Sequence, residues 1–160
     1  MTIPIYTLGG TIDKVYFDQK SEYQVGEPQV REILKDANVN FEYKLHSLLV
    51  KDSLDMTDED REFLVRTIQA DPEQRILITH GTDTMVQTAK ALQSIPDKTI
   101  VLTGAMHPAI FKKTDAPFNI GCAAAAVQIL PAGVYLVMNG VIFDPGNVKK
   151  NIAANCFEPL

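Results

Sequence analysis

The chain has 160 residues, 46% of them hydrophobic, with a formal net charge of −5 and a pI near 5.1. A domain of this length buries roughly 70% of its extended-chain surface, enough to hold a core without a disulfide or metal staple. Its charges alternate in sign rather than forming blocks, which excludes a basic face for nucleic acid and a polybasic membrane segment and leaves a small molecule or another protein as the expected partner.

Short apolar runs at residues 2–8, 41–49, 75–80, 99–103 and 134–138 predict strands, and the segments between them carry helical spacing. Val30, Ile33, Leu34 and Ala37 mark the first helix. The second opens at Thr57, with Asp60 three residues on as a variant capping box, before Phe63, Leu64 and Ile68. Met85, Ala89 and Leu92 mark the third, for which Thr84 and Gln87 fit another capping box. The fourth, from Phe118 to Leu130, is small-sided and holds Cys122; Cys122 and Cys156 lack CxxC spacing and read as buried thiols. Strands alternating with helices imply a mainly parallel sheet covered on both faces, a three-layer flavodoxin-like α/β domain.

Two connections are long. Residues 12–27 show neither helical nor strand period and hold Tyr16, Phe17 and Tyr23, which favours a lid; residues 104–116 form a second long loop. In open α/β sheets ligands bind beyond the carboxyl ends of the strands, so the loops after Leu8, Leu49, Thr79 and Thr103 are the ones to read for chemistry.

The first is Gly9-Gly10-Thr11, where paired glycines let the backbone turn and approach a ligand. It lacks the Gly-Lys-Ser/Thr ending of a phosphate loop and the G-x-G-x-x-G of a dinucleotide site, so a tight turn and a reactive Thr11 both stay open. In "ITHGTDTM", residues 78–85, Thr82 and Asp83 stand where a helix begins, a place that suits capping and also an attacking hydroxyl beside free N–H groups. His80, Asp83 and His107 are weighed as metal ligands, but H-x-x-D is not a recognised zinc spacing. Asp52, Ser53 and Asp55 in "KDSLDMTDED" either grip a polar ligand or solvate a turn. Lys149 and Lys150 follow the turn Asp144-Pro145-Gly146.

Taken together, "GGTI", "HGTDTM", "GAM", "PFN" and the downstream "VKK" resemble, in order and spacing, the bacterial-type L-asparaginase/glutaminase family over essentially the whole chain. The resemblance implies hydrolysis of the side-chain amide of L-asparagine to L-aspartate and ammonia through a threonine nucleophile and an acyl-enzyme, with no cofactor or metal. It carries Thr11 over as the nucleophile, Tyr23 as its lid partner, and Thr82, Asp83 and Lys150 as a second triad. Asp83 also suits a substrate α-ammonium. Gly10, Ser53, Leu54, Gly81, Thr82, Asp83 and Ala105 are the implied substrate contacts, Ser53 for the α-carboxylate and Ala105 through its carbonyl.

Leu8 and Asp13 stand where the family has threonine and a small residue, and Leu54 where it has a small polar residue or glutamine. The expected organisation is a single amino-terminal-type domain over residues 1–160 without the family's carboxy-terminal domain, which in longer members sends a glutamate into a neighbouring subunit. A homodimer or larger homo-oligomer is therefore expected to complete the site. The start MTIPIY resembles no signal peptide and no apolar run reaches eighteen residues, so the expected setting is cytoplasmic. Two other readings remain: a non-catalytic amino-acid-binding domain, and an amidase for another small amide.

Overall fold

The computed structural model describes residues 1–160. Six strands form the main sheet: β1 (Thr2–Gly9), β4 (Glu42–Lys51), β5 (Arg75–Thr79), β6 (Thr99–Thr103), β7 (Gly133–Met138) and β8 (Val141–Phe143), in the spatial order β4-β1-β5-β6-β7-β8. All neighbours are parallel except β8, which returns antiparallel on β7. The four helices are α1 (Val30–Asp36), α2 (Asp58–Ala70), α3 (Met85–Leu92) and α4 (Ala116–Ile129). The three-layer flavodoxin-like architecture expected from the alternation is the one observed.

Strand period explains the layers. On β1, Ile3 and Ile5 point into one core with Val30 and Leu34 of α1 and Ile120, Ala123 and Val127 of α4. Tyr6 and Leu8 point the other way, to Leu64 and Ile68 of α2 and Met85, Ala89 and Leu92 of α3. The central strands β5 and β6 divide likewise, with Ile76, Ile78, Ile100 and Leu102 on the second side and Leu77 and Val101 on the first. Being buried on both faces, these strands read as continuous apolar runs.

The strand order reverses between β1 and β5, which places the crevice beyond their carboxyl ends, at Gly9-Gly10-Thr11 and His80-Gly81-Thr82.

Three expectations need correction. Residues 12–27 are not aperiodic: they contain an antiparallel hairpin of β2 (Lys14–Phe17) and β3 (Glu22–Val25), turned through Ser21 at φ 50°. Its strands are four residues long with aromatics on both, so no clean alternation marks them. The Thr57–Asp60 capping box forms, but the one at Thr84 does not, because the Thr84 hydroxyl donates instead to the Ser53 carbonyl at 2.8 Å. Cys122 and Cys156 are half-buried free thiols rather than fully buried ones. A second small hairpin, β9 (Lys149–Asn151) with β10 (Cys156–Glu158), has strands too short to show any period in the sequence. No helix is long and apolar enough to cross a membrane.

Candidate active site

The centre of the crevice is a stack of backbone without side chains. Gly10 has φ 87°, and a β-carbon on it would overlap the backbone of Gly81; a β-carbon on Gly81 would in turn come within 2.7 Å of Ser53 Oγ. Three loops, after β1, β5 and β4, therefore meet at contact distance only because two of the three residues are glycine. Gly10 N–H also donates to the Lys51 carbonyl at 2.9 Å, fixing the first loop against the end of β4.

Thr11 opens a single 3-10 turn, Thr11–Asp13, and is partly exposed, while the next residue, Ile12, is buried in the core. The buried neighbour anchors the turn, while Thr11 keeps part of its surface open. Thr82, one residue beyond Gly81, is buried. Its hydroxyl accepts a hydrogen bond from Lys150 Nζ at 2.8 Å, and the same ammonium lies 2.7 Å from Asp83 Oδ1. Lys150 reaches this point from the β9–β10 hairpin, which Val148 and the buried ring of Phe157, paired in register with Lys150, pin to the core. Lys149–Glu158 and Asn151–Glu158 contacts tie the two strands together on the outside.

Ser53 is buried in the turn Ser53–Asp55, whose N-cap, Asp52, accepts the Leu54 N–H at 3.0 Å and pairs with Lys14 at 3.2 Å. Burial pushes the Asp52 carboxyl up, but the Leu54 N–H and the charges of Lys14 and Lys150 outweigh it and hold the group below the usual carboxylate range. Asp52, Asp83, Lys14 and Lys150 thus form a mixed-charge rim suited to a zwitterionic ligand.

On the far side, Ala105 is buried after β6. Asn119, the asparagine of "PFN", donates to the Gly104 carbonyl at 2.9 Å and to Asp115, and Asp115 takes the N–H groups of Met106 and His107. This network holds residues 104–116 in place.

Gly10, Ser53, Gly81, Thr82, Asp83 and Lys150 are thus brought together, with Thr11 adjacent through Gly10. Tyr23 lies on β3, about half exposed, where its ring meets Tyr16 and Phe111 edge-on at centroid distances of 5.4 and 5.5 Å. Leu54 is 70% exposed. Both ring nitrogens of His80 are engaged inside the core, His107 is on the exposed loop, and no three His, Cys, Asp or Glu side chains converge on a metal position.

Two residues near the site have roles that the sequence alone did not reveal. Asp13, 1% exposed, accepts the Gln29 N–H on Oδ1 at 2.9 Å, and its carbonyl accepts the Gly26 N–H, so it clamps both roots of the β2–β3 hairpin. Burial raises its pKa to about 7 against the opposing Gln29 bond. Arg61 of α2 is buried and donates to Thr88 Oγ1, which also bonds His80; a charged residue on an amphipathic helix gives no sign of that in sequence.

The family model described as Asparaginase, N-terminal, matches residues 2–158. The chain belongs to the asparaginase family. It is 36% identical to L-asparaginase 2 of Escherichia coli, over 92% of this chain and 46% of that protein. The solved structure of the thermostable L-asparaginase from Thermococcus kodakarensis superposes at a TM-score of 0.86 with 26% identity, over 100% of this chain and 51% of that one. Similarity also extends to a glutamyl-tRNA(Gln) amidotransferase component of Methanosarcina barkeri, 29% identical over 89% of this chain and 35% of that protein. The chain spans about half the length of the asparaginases it matches.

Proposed function

We propose that this asparaginase-family domain is an L-asparaginase-type amidohydrolase that converts L-asparagine to L-aspartate and ammonia. The observation that carries the reading is Lys150 Nζ held between Thr82 Oγ1 and Asp83 Oδ1, at 2.8 and 2.7 Å, in the crevice that Thr11 flanks. A threonine hydroxyl is a weak nucleophile and must give up its proton as it attacks. In this reading Thr11 Oγ1 attacks the amide carbon, and the carbon–nitrogen bond breaks as the nitrogen takes a proton and leaves as ammonia. Water then cleaves the acyl-threonine ester, returning the hydroxyl and releasing aspartate. Thr82, Asp83 and Lys150 supply the proton path, and Tyr23 closes over Thr11 when the hairpin moves inward. Ser53 and the adjoining N–H groups take the α-carboxylate, Asp83 the α-ammonium, and the Ala105 carbonyl the departing amide; Gly10, Gly81 and Leu54 line the pocket. No cofactor enters the reaction.

Residues 1–160 act as one such domain, and a second copy of the chain completes the environment of Tyr23, whose half-exposed ring packs edge-on against Tyr16 and Phe111. Two free cysteines fit a reducing, cytoplasmic setting. A second reading, an amidase for another small amide, draws on the exposed Leu54 and on the amidotransferase component among the relatives.

The test is ammonia release from L-asparagine, D-asparagine, L-glutamine and simple amides by the full chain and by Thr11→Ala and Thr82→Ala. Release from L-asparagine that both substitutions abolish is expected. Release unchanged in both variants would sink the mechanism, and calorimetric binding of L-asparagine without ammonia would make the domain a binder.

A further inference from the structure

Arg61 is an odd residue to find inside this protein. Only 5% exposed, its guanidinium sits between α2 and α3, where taking a charge out of water is costly and an apolar side chain would fill the space. Nε–H donates to Thr88 Oγ1 at 3.1 Å, and Nη1 reaches the Met56 carbonyl at 3.4 Å and lies 3.8 Å from the exposed Asp58 carboxylate, while Nη2 is buried without a partner. The same Thr88 hydroxyl lies 2.7 Å from His80 Nε2, and His80 Nδ1 lies 2.6 Å from the Gly81 carbonyl.

The directions of these bonds follow from what each group can do. A guanidinium only donates, so Thr88 Oγ1 accepts from it, and a carbonyl only accepts, so His80 Nδ1 carries the proton that binds the Gly81 carbonyl. In a neutral ring Nε2 is then the acceptor, and the Thr88 hydroxyl donates its proton to it. The chain is therefore polar in one sense from end to end: Arg61, Thr88, His80, Gly81. A completely buried ring with depressed basicity, its pKa lowered to about 4 chiefly by burial, stays neutral across the physiological range.

We infer that Arg61 is a positioning residue for the site: through Thr88 it locks His80 in the Nδ1–H tautomer and so fixes the plane of the Gly81–Thr82 peptide. The inference rests on the asparaginase-type reading above. The peptide is trans and planar, so a carbonyl held toward His80 directs the Thr82 N–H away from the buried ring. This sets the angle at which Thr82 enters its contact with Lys150 and presents a backbone donor to a ligand in the crevice. Without Arg61 the Thr88 hydroxyl is free to turn back to the Thr84 carbonyl one helical turn earlier, and His80 to exchange tautomers. The Gly81 carbonyl then loses its donor.

The test uses the full chain with 15N-labelled histidine. In the wild type the His80 resonances are expected to show protonated Nδ1 and unprotonated Nε2 and not to titrate above about pH 5. Arg61→Met should give mixed tautomers and lower kcat on L-asparagine between about 10- and 100-fold with KM changed less. Should Arg61→Met not fold, Thr88→Val removes the same link, and Thr88→Ser, which keeps the hydroxyl, should restore both the tautomer and kcat. An unchanged tautomer in Arg61→Met and Thr88→Val overturns the inference, as does mixing of tautomers with no change in turnover. A wild type that releases no ammonia refutes the proposed function instead, and the tautomer measurement still decides the lock.

Discussion

Gly10 and Gly81 lie back to back across the β1–β5 junction with no room for a β-carbon on Gly10. The two loops that carry Thr11 and Thr82 are thus held at a separation set by backbone, which is stiffer than any side-chain packing. Gly10→Ala adds both an overlap and a strained positive φ, and should destabilise the fold by more than about 2 kcal/mol in urea unfolding. Gly121→Ala is the contrast: this glycine lies within α4 with nothing near its missing β-carbon, and alanine there should stabilise by about 0.5–1 kcal/mol. Equal effects from the two would refute the account of the junction.

Lys150 is the one side chain that touches both Thr82 and Asp83. Lys150→Met should lower kcat on L-asparagine by roughly 10²- to 10⁴-fold. Lys150→Arg keeps the charge but not the compact ammonium, and should recover little of the loss. Steady-state ammonia release from the two variants decides this, and activity within twofold of the parent would remove Lys150 from the proton path.

Asp13 and His80 give the protein a pH profile with two opposing slopes. The native state keeps a proton on Asp13 up to about pH 7 that the unfolded chain sheds near 3.8, so Asp13 subtracts stability as pH rises through that window, fully so above it. Asp13→Asn retains an acceptor for the Gln29 N–H and should add on the order of 3 kcal/mol at pH 8, a gain that fades toward pH 4. His80 has the other sign: its native pKa of about 4 lies below the ordinary 6.5, so its contribution is whole above 6.5 and lost as pH falls toward 4. Urea titrations from pH 4 to 8 should therefore show a steeper acid-side decline in Asp13→Asn than in the parent. A gain independent of pH would mean that Asp13 is ionised when native.

The Lys14–Asp52 pair joins the first residue of the hairpin to the cap of the Ser53 turn at 3.2 Å. Each side chain is about 30% exposed, so the pair is worth little to global stability, under about 1 kcal/mol. Its effect should appear in substrate capture: Lys14→Met is expected to raise KM for L-asparagine roughly three- to tenfold with kcat nearly unchanged, and the difference should shrink at high salt. A loss confined to kcat would contradict this role of the pair.

The sequence made the layers legible because β1, β5 and β6 are buried on both faces and so carry unbroken apolar runs. The capping box at Thr57 was legible for a local reason, since both partners lie within one turn. Thr84 has the same local pattern, yet its hydroxyl is claimed by the Ser53 carbonyl, thirty-one positions away in the chain. The motifs located Thr82, Asp83 and Lys150, but not the means of bringing them together: β9 and β10 are three residues each, too short for any period, and Phe157 does the anchoring. Arg61 and Asp13 were illegible in a deeper sense. Charged side chains are ordinarily read as solvated, and only the packed structure shows that these two are not.

For the proposed reaction, the β2–β3 hairpin alters what closing the site costs. A sixteen-residue flexible lid would surrender backbone freedom each time it settled over a ligand, on the order of 1 kcal/mol or more for every residue ordered. Here the cross-strand ladder, the Asp13 clamp at both roots and the Tyr16–Tyr23–Phe111 rings have already ordered that segment during folding. In the proposed reaction, closing the flap reduces to a swing about its roots, with few torsions to freeze, so most of the free energy of ligand contact is left for holding the reacting groups in line.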